Sequence, residues 1–252
     1  MIILAIAFFS TAFFLFSVNK QQEKPETNIT PPFNVGEQLI YEVRLVNSTG
    51  TYTLCTVNLS VIGITEVNGE ECFILKKEFV GYNGSMYSYV TVNNLTLLKT
   101  CVKSPLGSLV MLYDHKENKC KMNITTNNNT ITQESDIKPD IQDALSMIYY
   151  IRSLPLEENY WCTFNFITLS GELSVNILTT LVKISVEEQL QNISIRLGKF
   201  TCYEVSLGTG VSSKLYITAS NERLPVLIKG LPRDNEYQYW ELVKYVPSFK
   251  RA

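Results

Sequence analysis

Four side chains are the candidates for a ligand-binding site in this sequence. Glu37 precedes the first β-rich run, whereas Asp143, Tyr149 and Arg152 fall within one stretch of helical periodicity. Together they could line a polar pocket that orients a ligand. In the structural alternative, Asp143 stabilises the start of a helix through the helix dipole, and Arg152 bonds backbone carbonyls or Glu37. We favour the structural alternative.

The sequence offers few combinations of side chains that could catalyse a reaction. The single histidine, His115, lies in the polar stretch Asp114–Lys119, which predicts a turn. Metal sites usually use several imidazoles, and Ser-His or Cys-His catalysis places one beside a nucleophile. The net charge of −2 gives no basic footprint for a nucleic acid. The sequence therefore predicts a non-enzymatic protein that has no cofactor, no metal and no nucleic-acid partner.

Eight Asn-x-Ser/Thr sequons point to an exported, glycosylated protein. Roughly three would be expected by chance in so Asn- and Thr-rich a chain. Strand alternation places three of the eight opposite an apolar face, where a glycan could reach solvent. The predicted glycosylation sites are Asn28, Asn47, Asn58, Asn83, Asn94, Asn123, Asn128 and Asn192.

Six cysteines form an even set without a Cys-x-x-Cys pair, which argues against a zinc or thioredoxin-type site. In an oxidising compartment they would form up to three disulfides. Sequential pairing is the favoured one of about fifteen connectivities, and free thiols in a reduced chain are the alternative. The sequential pairs are Cys55–Cys72, Cys101–Cys120 and Cys162–Cys202.

The N-terminus is the feature that indicates export. Ile2–Val18 is an almost unbroken apolar run, about 25 Å long as a helix and just short of a bilayer core. It lacks the basic start and the small-residue cleavage site of a typical signal peptide. An uncleaved membrane anchor is slightly favoured over a cleaved signal. The expected organisation is a signal peptide or anchor at 1–19, a spacer at 20–32, and one extracytoplasmic β domain at 33–252.

The elements that must position the candidate residues are mainly β-strands. From Gln38 to Thr125, and again from Tyr160 to Tyr245, short β-branched and aromatic runs alternate with turn residues such as Asn68-Gly69. Between them, Asp140–Ser153 has a helical stripe with Asp140 as its N-cap. Two β-meanders and one helix of about fourteen residues predict a mainly β fold. The helix would pack on a strongly curved antiparallel sheet or an open barrel, with the N-terminal membrane helix outside it.

Four stretches of the sequence carry a family resemblance. They are Gly36–Tyr41, Asp143–Leu156, Gly198–Phe200 and Arg223–Val226. These stretches resemble the exported prokaryotic proteins known as domain of unknown function 3108. The resemblance implies an envelope-associated β domain of unassigned function. The sequons and cysteines are atypical for that family and fit an archaeal or otherwise glycosylating surface better.

These observations favour a surface module that binds rather than catalyses. The concave side of the sheet, covered by the helix, could hold an apolar or amphipathic ligand such as a lipid chain. The alternative is an envelope glycoprotein that contacts neighbouring proteins and holds no internal ligand. In either case the N-terminal helix attaches the protein to a membrane, or the protein is secreted.

Overall fold

The computed structural model describes residues 30–126, 129–170, 176–208, 213–230 and 236–248. In these ranges the chain forms sixteen strands in one sheet and a single helix. The mainly β fold expected from the sequence is therefore confirmed. No helix in these ranges is long and apolar enough to cross a membrane. The predicted signal peptide or anchor at 1–19 lies outside the described residues.

The strands fall into two groups separated by the helix. The first group is β1 (Gln38–Asn47), β2 (Gly50–Val67), β3 (Glu70–Val80), β4 (Ser85–Thr91), β5 (Leu97–Ser104), β6 (Gly107–Asp114), β7 (Lys119–Thr126) and β8 (Thr130–Asp136). A short strand β9 (Ile141–Gln142) and the helix α1 (Ser146–Arg152) follow. The second group is β10 (Trp161–Ser170), β11 (Asn176–Val186), β12 (Gln191–Ile195), β13 (Gly198–Leu207), β14 (Ser213–Thr218), β15 (Pro225–Lys229) and β16 (Tyr237–Val246).

The sheet joins the two meanders through the first and last strands. Its order is β8-β7-β6-β5-β4-β3-β2-β1-β16-β15-β14-β13-β11-β10-β9, and β12 pairs with β13. Glu42 of β1 lies opposite Glu241 of β16, which fixes the register of that junction. All pairings are antiparallel except that of β9 with β10. In the described part of the chain the two ends of this order are not paired with each other, so the sheet is open.

The helix is shorter than the sequence predicts. The helical stripe predicts Asp140–Ser153, but α1 spans Ser146–Arg152. Asp140 has a left-handed backbone (φ 52°) and so does not serve as the N-cap. Ile141 and the following residue pair in parallel with Asn165 and Phe166 of β10. This long-range pairing holds the first turn of the expected helix in an extended conformation.

Turn residues predict the hairpins well, with one missed strand. Asn68 and Gly69 have positive φ values of 53° and 82° between β2 and β3, as a two-residue hairpin requires. His115 lies in the turn between β6 and β7, as expected, and its Nε2 contacts the carbonyl of Leu97 at 2.7 Å. The segment after Thr125 lies outside the two runs in which strands were expected, yet it contains β8. Its side chains are mostly polar and give no strand signal, but the segment pairs with β7 along its length.

Alternation along the strands separates an inner face, which packs on α1, from an outer face. In β1, Leu39, Tyr41 and Val43 are fully buried on the inner face. Glu42 and Arg44 alternate with these residues, lie on the outer face and form an ion pair. All seven residues of α1 are buried, and the helix lies against β4 and β9. The inner face and the helix thus share one apolar core.

The predicted disulfides are absent, and all six cysteines are free thiols. The strand register gives the physical reason. Cys72 lies opposite Thr65, ten residues along β2 from Cys55, which corresponds to about 33 Å. A disulfide needs Cα atoms no more than about 7 Å apart. Similarly, Cys101 and Cys120 lie opposite Val110 and Tyr113 of β6, on opposite faces of the sheet.

The third expected pair is separated in the same way. Cys162 of β10 lies opposite Ile184 of β11, which in turn lies opposite Leu207 of β13. Cys202 is five residues from Leu207 along β13. The offset along the strand is therefore about 16 Å, before the two strand spacings between them are added. Sequential pairing is wrong for all three pairs.

Candidate functional site

A buried ion pair ties the end of α1 to the first strand. Arg152 Nη1 and Nη2 donate hydrogen bonds to the two carboxylate oxygens of Glu37, at 2.6 and 2.9 Å. Its Nε and Nη2 also donate to the carbonyls of Arg223 and Glu222. Both side chains of the pair are essentially excluded from solvent. These contacts match the structural role predicted for Arg152, which links the helix to both meanders.

A second polar cluster ties the other end of the helix to the sheet. Asp143 Oδ2 accepts hydrogen bonds from the hydroxyls of Ser88 and Thr100, at 2.7 and 2.6 Å. Its Oδ1 accepts the backbone N–H groups of Leu145 and Ser146 just before and at the start of α1. Asp143 therefore stabilises the entry to the helix, as the structural alternative predicts. All these bonds are buried, and they fix α1 across β4 and β5.

Lys77 is a buried cation that sequence reasoning did not single out. It lies on the inner face of β3 and is 3% exposed. Its Nζ lies 5.2 Å from the ring centre of Phe79 and 4.9 Å from that of Trp240. Burial holds the pKa of Lys77 well below its ordinary value, while the charge of Asp143 acts in the opposite direction. The aromatic rings and Asp143 together compensate part of the desolvation cost.

Tyr149 lies on α1, in the core between the helix and the inner face of the sheet, and its hydroxyl is unpaired within the described part of the chain. The side chain is fully buried. Its ring contacts that of Phe33 edge-on at 4.9 Å, and the guanidinium of Arg152 lies 5.4 Å from it. Among the described residues, the Tyr149 hydroxyl has no hydrogen-bond partner. Burial raises its pKa, so the hydroxyl is a neutral donor.

The four candidate residues therefore lie in one interior but not in one cluster. Glu37, Tyr149 and Arg152 are in contact or close proximity, whereas Asp143 lies at the other end of the helix, near Lys77. None of these side chains is exposed. Within the described ranges, no three His, Cys, Asp or Glu side chains converge as metal ligands would. Four buried polar atoms have no hydrogen-bond partner among the described residues: Asn58 Oδ1, Gln142 Oε1, and the hydroxyls of Tyr149 and Tyr160. Of these, the Tyr149 hydroxyl is the one that belongs to the four candidate residues.

The sequons occupy varied positions. Asn83, Asn94 and Asn192 are exposed, while Asn47, Asn58 and Asn123 are partly buried; Asn28 and Asn128 lie outside the described residues. Asn58 faces away from its buried neighbours Val57 and Leu59, as strand alternation predicts. Glycosylation of these sites stays a prediction.

A family comparison identifies the chain. The model of the family described as protein of unknown function, DUF3108, matches residues 56–234. The chain belongs to the DUF3108 family. This confirms the resemblance noted from short stretches, three of which lie inside the match; Gly36–Tyr41 precedes it. A search of curated proteins found no match for this DUF3108 chain.

Two solved structures resemble the DUF3108 chain at low similarity. One is a protein of Bacteroides fragilis described as exported and as having a YmcC-like fold. It is 11% identical over 87% of this chain and 100% of its own, with a TM-score of 0.33. The other, from Parabacteroides distasonis, is described as a lipoprotein; it is 10% identical over the same shares, with a TM-score of 0.31.

Sequence reasoning found the charged ends of the helix in this DUF3108 chain but missed their partners. Ser88 and Thr100 bond Asp143 from positions 55 and 43 residues away in the chain, and no local pattern marks them. Lys77 could have been noticed, because strand alternation places it on the same face as Phe73 and Leu75. Lysine is rarely buried, so a lysine at an inward-facing strand position indicates a functional or structural role.

Proposed function

We propose that this protein binds a neutral, largely apolar ligand on the inner face of its sheet, outside the cytosol, and catalyses no reaction. The observation that carries the proposal is the buried Tyr149 hydroxyl without a hydrogen-bond partner. A buried polar group left unpaired costs about 1–3 kcal/mol. A ligand oxygen that accepts a hydrogen bond from Tyr149 would remove this cost.

The charges of the interior favour a neutral ligand. Four charged side chains are buried in the described part of the chain: Glu37, Lys77, Asp143 and Arg152. Glu37 and Arg152 neutralise each other directly, and the carboxylate of Asp143 is already satisfied by Ser88, Thr100 and two backbone N–H groups. An additional buried charge on the ligand would have no counter-charge and would be costly. An ester carbonyl or a hydroxyl on an apolar body fits the Tyr149 site better.

The surroundings of Tyr149 fit an apolar body and suggest how it would enter. Phe33 contacts both Tyr149 and Phe73 edge-on, at 4.9 and 5.5 Å between ring centres. Phe33 belongs to the segment that precedes β1 rather than to the sheet itself. Displacement of this segment would uncover Tyr149 without breaking a strand pairing of the sheet. The ligand would then take the place of the Phe33 ring.

The N-terminal sequence supports the placement at a membrane. The apolar run Ile2–Val18 suits an anchor or an export signal. Attachment of the domain beside a bilayer would give it access to lipid-like molecules. The eight sequons support the outer side of that membrane, because glycosylation requires export.

One surface feature favours the alternative function, contact with an envelope protein. Tyr52, Leu54, Val80, Tyr82 and Tyr237 are exposed large apolar side chains. Val80 lies opposite Thr56, two residues after Leu54 on β2, and Tyr82 follows Val80 in the chain. Tyr52 and Tyr237 lie opposite Leu45 and Val46, so strand alternation puts these two tyrosines on opposite faces of the sheet. Exposed apolar side chains such as Leu54, Val80 and Tyr82 are typical of a protein-binding site.

A titration with a fluorescent neutral lipid tests the leading proposal. The full-length protein is titrated with a diacylglycerol that carries a fluorophore on one acyl chain. Tyr149→Phe should bind about tenfold more weakly, because one hydrogen bond is lost. Tyr150→Phe is the matched control, since it removes a hydroxyl from the next position of α1 and should bind like the wild type.

Two results would contradict the proposal. The first is a wild-type protein that does not bind the neutral lipid at all. The second is equal binding by the Tyr149→Phe and Tyr150→Phe variants. If lipid binding fails while Leu54→Ser and Val80→Ser together abolish cross-linking to an envelope protein, the alternative function gains the support instead.

A further inference from the structure

The outer face of β3, β4 and β5 carries lysines that lie on tyrosine rings. Lys76 and Lys103 both lie over the ring of Tyr87, each with Nζ 5.8 Å from its centre. Lys99 lies over the ring of Tyr89 at 5.0 Å. A cation within about 6 Å of a ring centre is attracted to the ring face. These contacts hold the ammonium groups close to the sheet surface.

Three lysines of this face form a triangle of positive charge. Lys99 lies opposite Leu112, and Leu112 lies opposite Lys121, so both lysines share the outer face about 10 Å apart. Lys103 follows Lys99 by four residues on β5, a distance of about 13 Å. Within the part of the chain that the structure describes, none of the three has an ion-pair partner. Two carboxylates flank the triangle, since Glu134 lies opposite Lys121 and Glu78 lies opposite Ser85, the cross-strand partner of Lys103.

Cys101, Val110 and Leu112 lie between the three lysines. Small polar side chains lie around Lys103 on the same face. They are Ser85, Ser108, Asn123, Thr125 and Thr132. The strongly exposed apolar side chain on this face is Val80, at the end of β3. The surface therefore combines fixed, widely spaced cations with many hydroxyl and amide groups.

We propose that this outer face, defined by Lys99, Lys103 and Lys121 with Tyr87 and Tyr89, binds an acidic polysaccharide. The carboxylate or sulfate groups of such a polymer are spaced along a hydroxyl-rich chain. The lysines meet the acidic groups, and the Ser, Thr and Asn side chains meet the sugar hydroxyls. This activity is separate from the ligand proposed for the inner face, and neither depends on the other.

Other polyanions fit the same surface less well. Single-stranded nucleic acids bind by stacking bases on open aromatic rings, but lysines cover the Tyr87 and Tyr89 rings. A lipid surface is bound by apolar side chains that insert beside the basic ones, whereas the strongly exposed apolar side chain of this face, Val80, lies at the end of β3 and not between the lysines. Both polyanions serve as competitors in the test.

The test measures binding of fluorescein-labelled polygalacturonate to the full-length protein by fluorescence anisotropy at 0.15 M salt. Removal of three charges by the Lys99→Gln, Lys103→Gln and Lys121→Gln triple variant should weaken binding by about tenfold or more. The matched control changes three exposed lysines elsewhere, Lys116→Gln, Lys138→Gln and Lys199→Gln. The control should bind like the wild type, because its net charge equals that of the triple variant.

Any of four results would overturn the proposal. One is no binding of polygalacturonate by the wild type, and another is equal loss of binding in both triple variants. The third is tighter binding to an oligothymidylate or to phosphatidylglycerol vesicles than to the polysaccharide. The fourth concerns Asn123, whose sequon lies on the same face. If Asn123→Gln abolished binding, the signal would come from a glycan of the protein itself.

Discussion

Replacement of Arg152 by Met tests whether the buried ion pair holds the two meanders together. The change leaves the Glu37 carboxylate buried without its partner and removes the donor to the carbonyls of Glu222 and Arg223. Breaking one side of a buried ion pair costs about 3–5 kcal/mol. For a domain of this size the melting temperature should fall by about 6–20 °C. Urea unfolding followed by circular dichroism measures the loss directly.

Two further variants decide whether the loss comes from the uncompensated charge. Glu37→Leu combined with Arg152→Met removes both charges, and its cost should be about 2–3 kcal/mol smaller than the sum of the single changes. Arg44→Met is the matched control, because Arg44 pairs with Glu42 and Glu241 on the outer face. It should cost less than about 1 kcal/mol. The reasoning is refuted if Arg152→Met costs no more than Arg44→Met, or if the two changes of the pair are additive.

Three other changes have defined outcomes. Lys77→Met should raise the free energy of unfolding at pH 7. This gain should shrink towards pH 10, because burial lowers the folded-state pKa of Lys77 and the unfolded wild type then binds more protons up to about pH 10.4. Urea titrations at both pH values check this, and a constant gain would contradict it. Gly107→Ala should cost about 2–3 kcal/mol in the same assay, since φ is +151° and a Cβ would lie 2.2 Å from the Thr125 carbonyl oxygen; a neutral change would show that the turn is placed differently. Iodoacetamide without reductant should label six thiols after denaturation but spare Cys120 in the native protein, because burial raises its pKa to about 12; fewer than six labels by mass spectrometry would indicate a disulfide.

The strands and their faces could be predicted because their signals are local. Alternation of polar and apolar residues assigns Leu39, Tyr41 and Val43 to the core from the sequence alone. Asn68-Gly69 marks its hairpin for a similar reason, since both residues must adopt positive φ. Family membership was also visible, since four short stretches of the sequence carry the resemblance.

The features that sequence reasoning missed depend on contacts between distant residues. The helix loses its first turn because Ile141 pairs with β10, a partner that lies more than twenty residues further along the chain. β8 forms because β7 offers it an edge, although its own side chains are polar. The cysteines could not be paired from their order, because only the strand register shows that Cys55 and Cys72 lie far apart.

At the candidate site, the contacts of the charged residue Arg152 could be predicted, but the unpaired hydroxyl of Tyr149 and the burial of Lys77 could not. Arg152 was expected to bond backbone carbonyls or Glu37, and it bonds both. The sequence gives no sign that the Tyr149 hydroxyl is left without a partner, because that depends on every side chain around it. The buried position of Lys77 among aromatic rings likewise depends on Trp240, more than 160 residues away.

Native mass spectrometry of the full-length protein tests the central claim most directly. The claim is that the inner face holds a neutral, apolar ligand whose oxygen accepts a hydrogen bond from Tyr149. The predicted result is a copurifying neutral lipid on the wild type and on Tyr150→Phe, and a much smaller bound fraction on Tyr149→Phe. A wild-type protein free of any lipid, or a lipid retained equally by all three proteins, would contradict the claim.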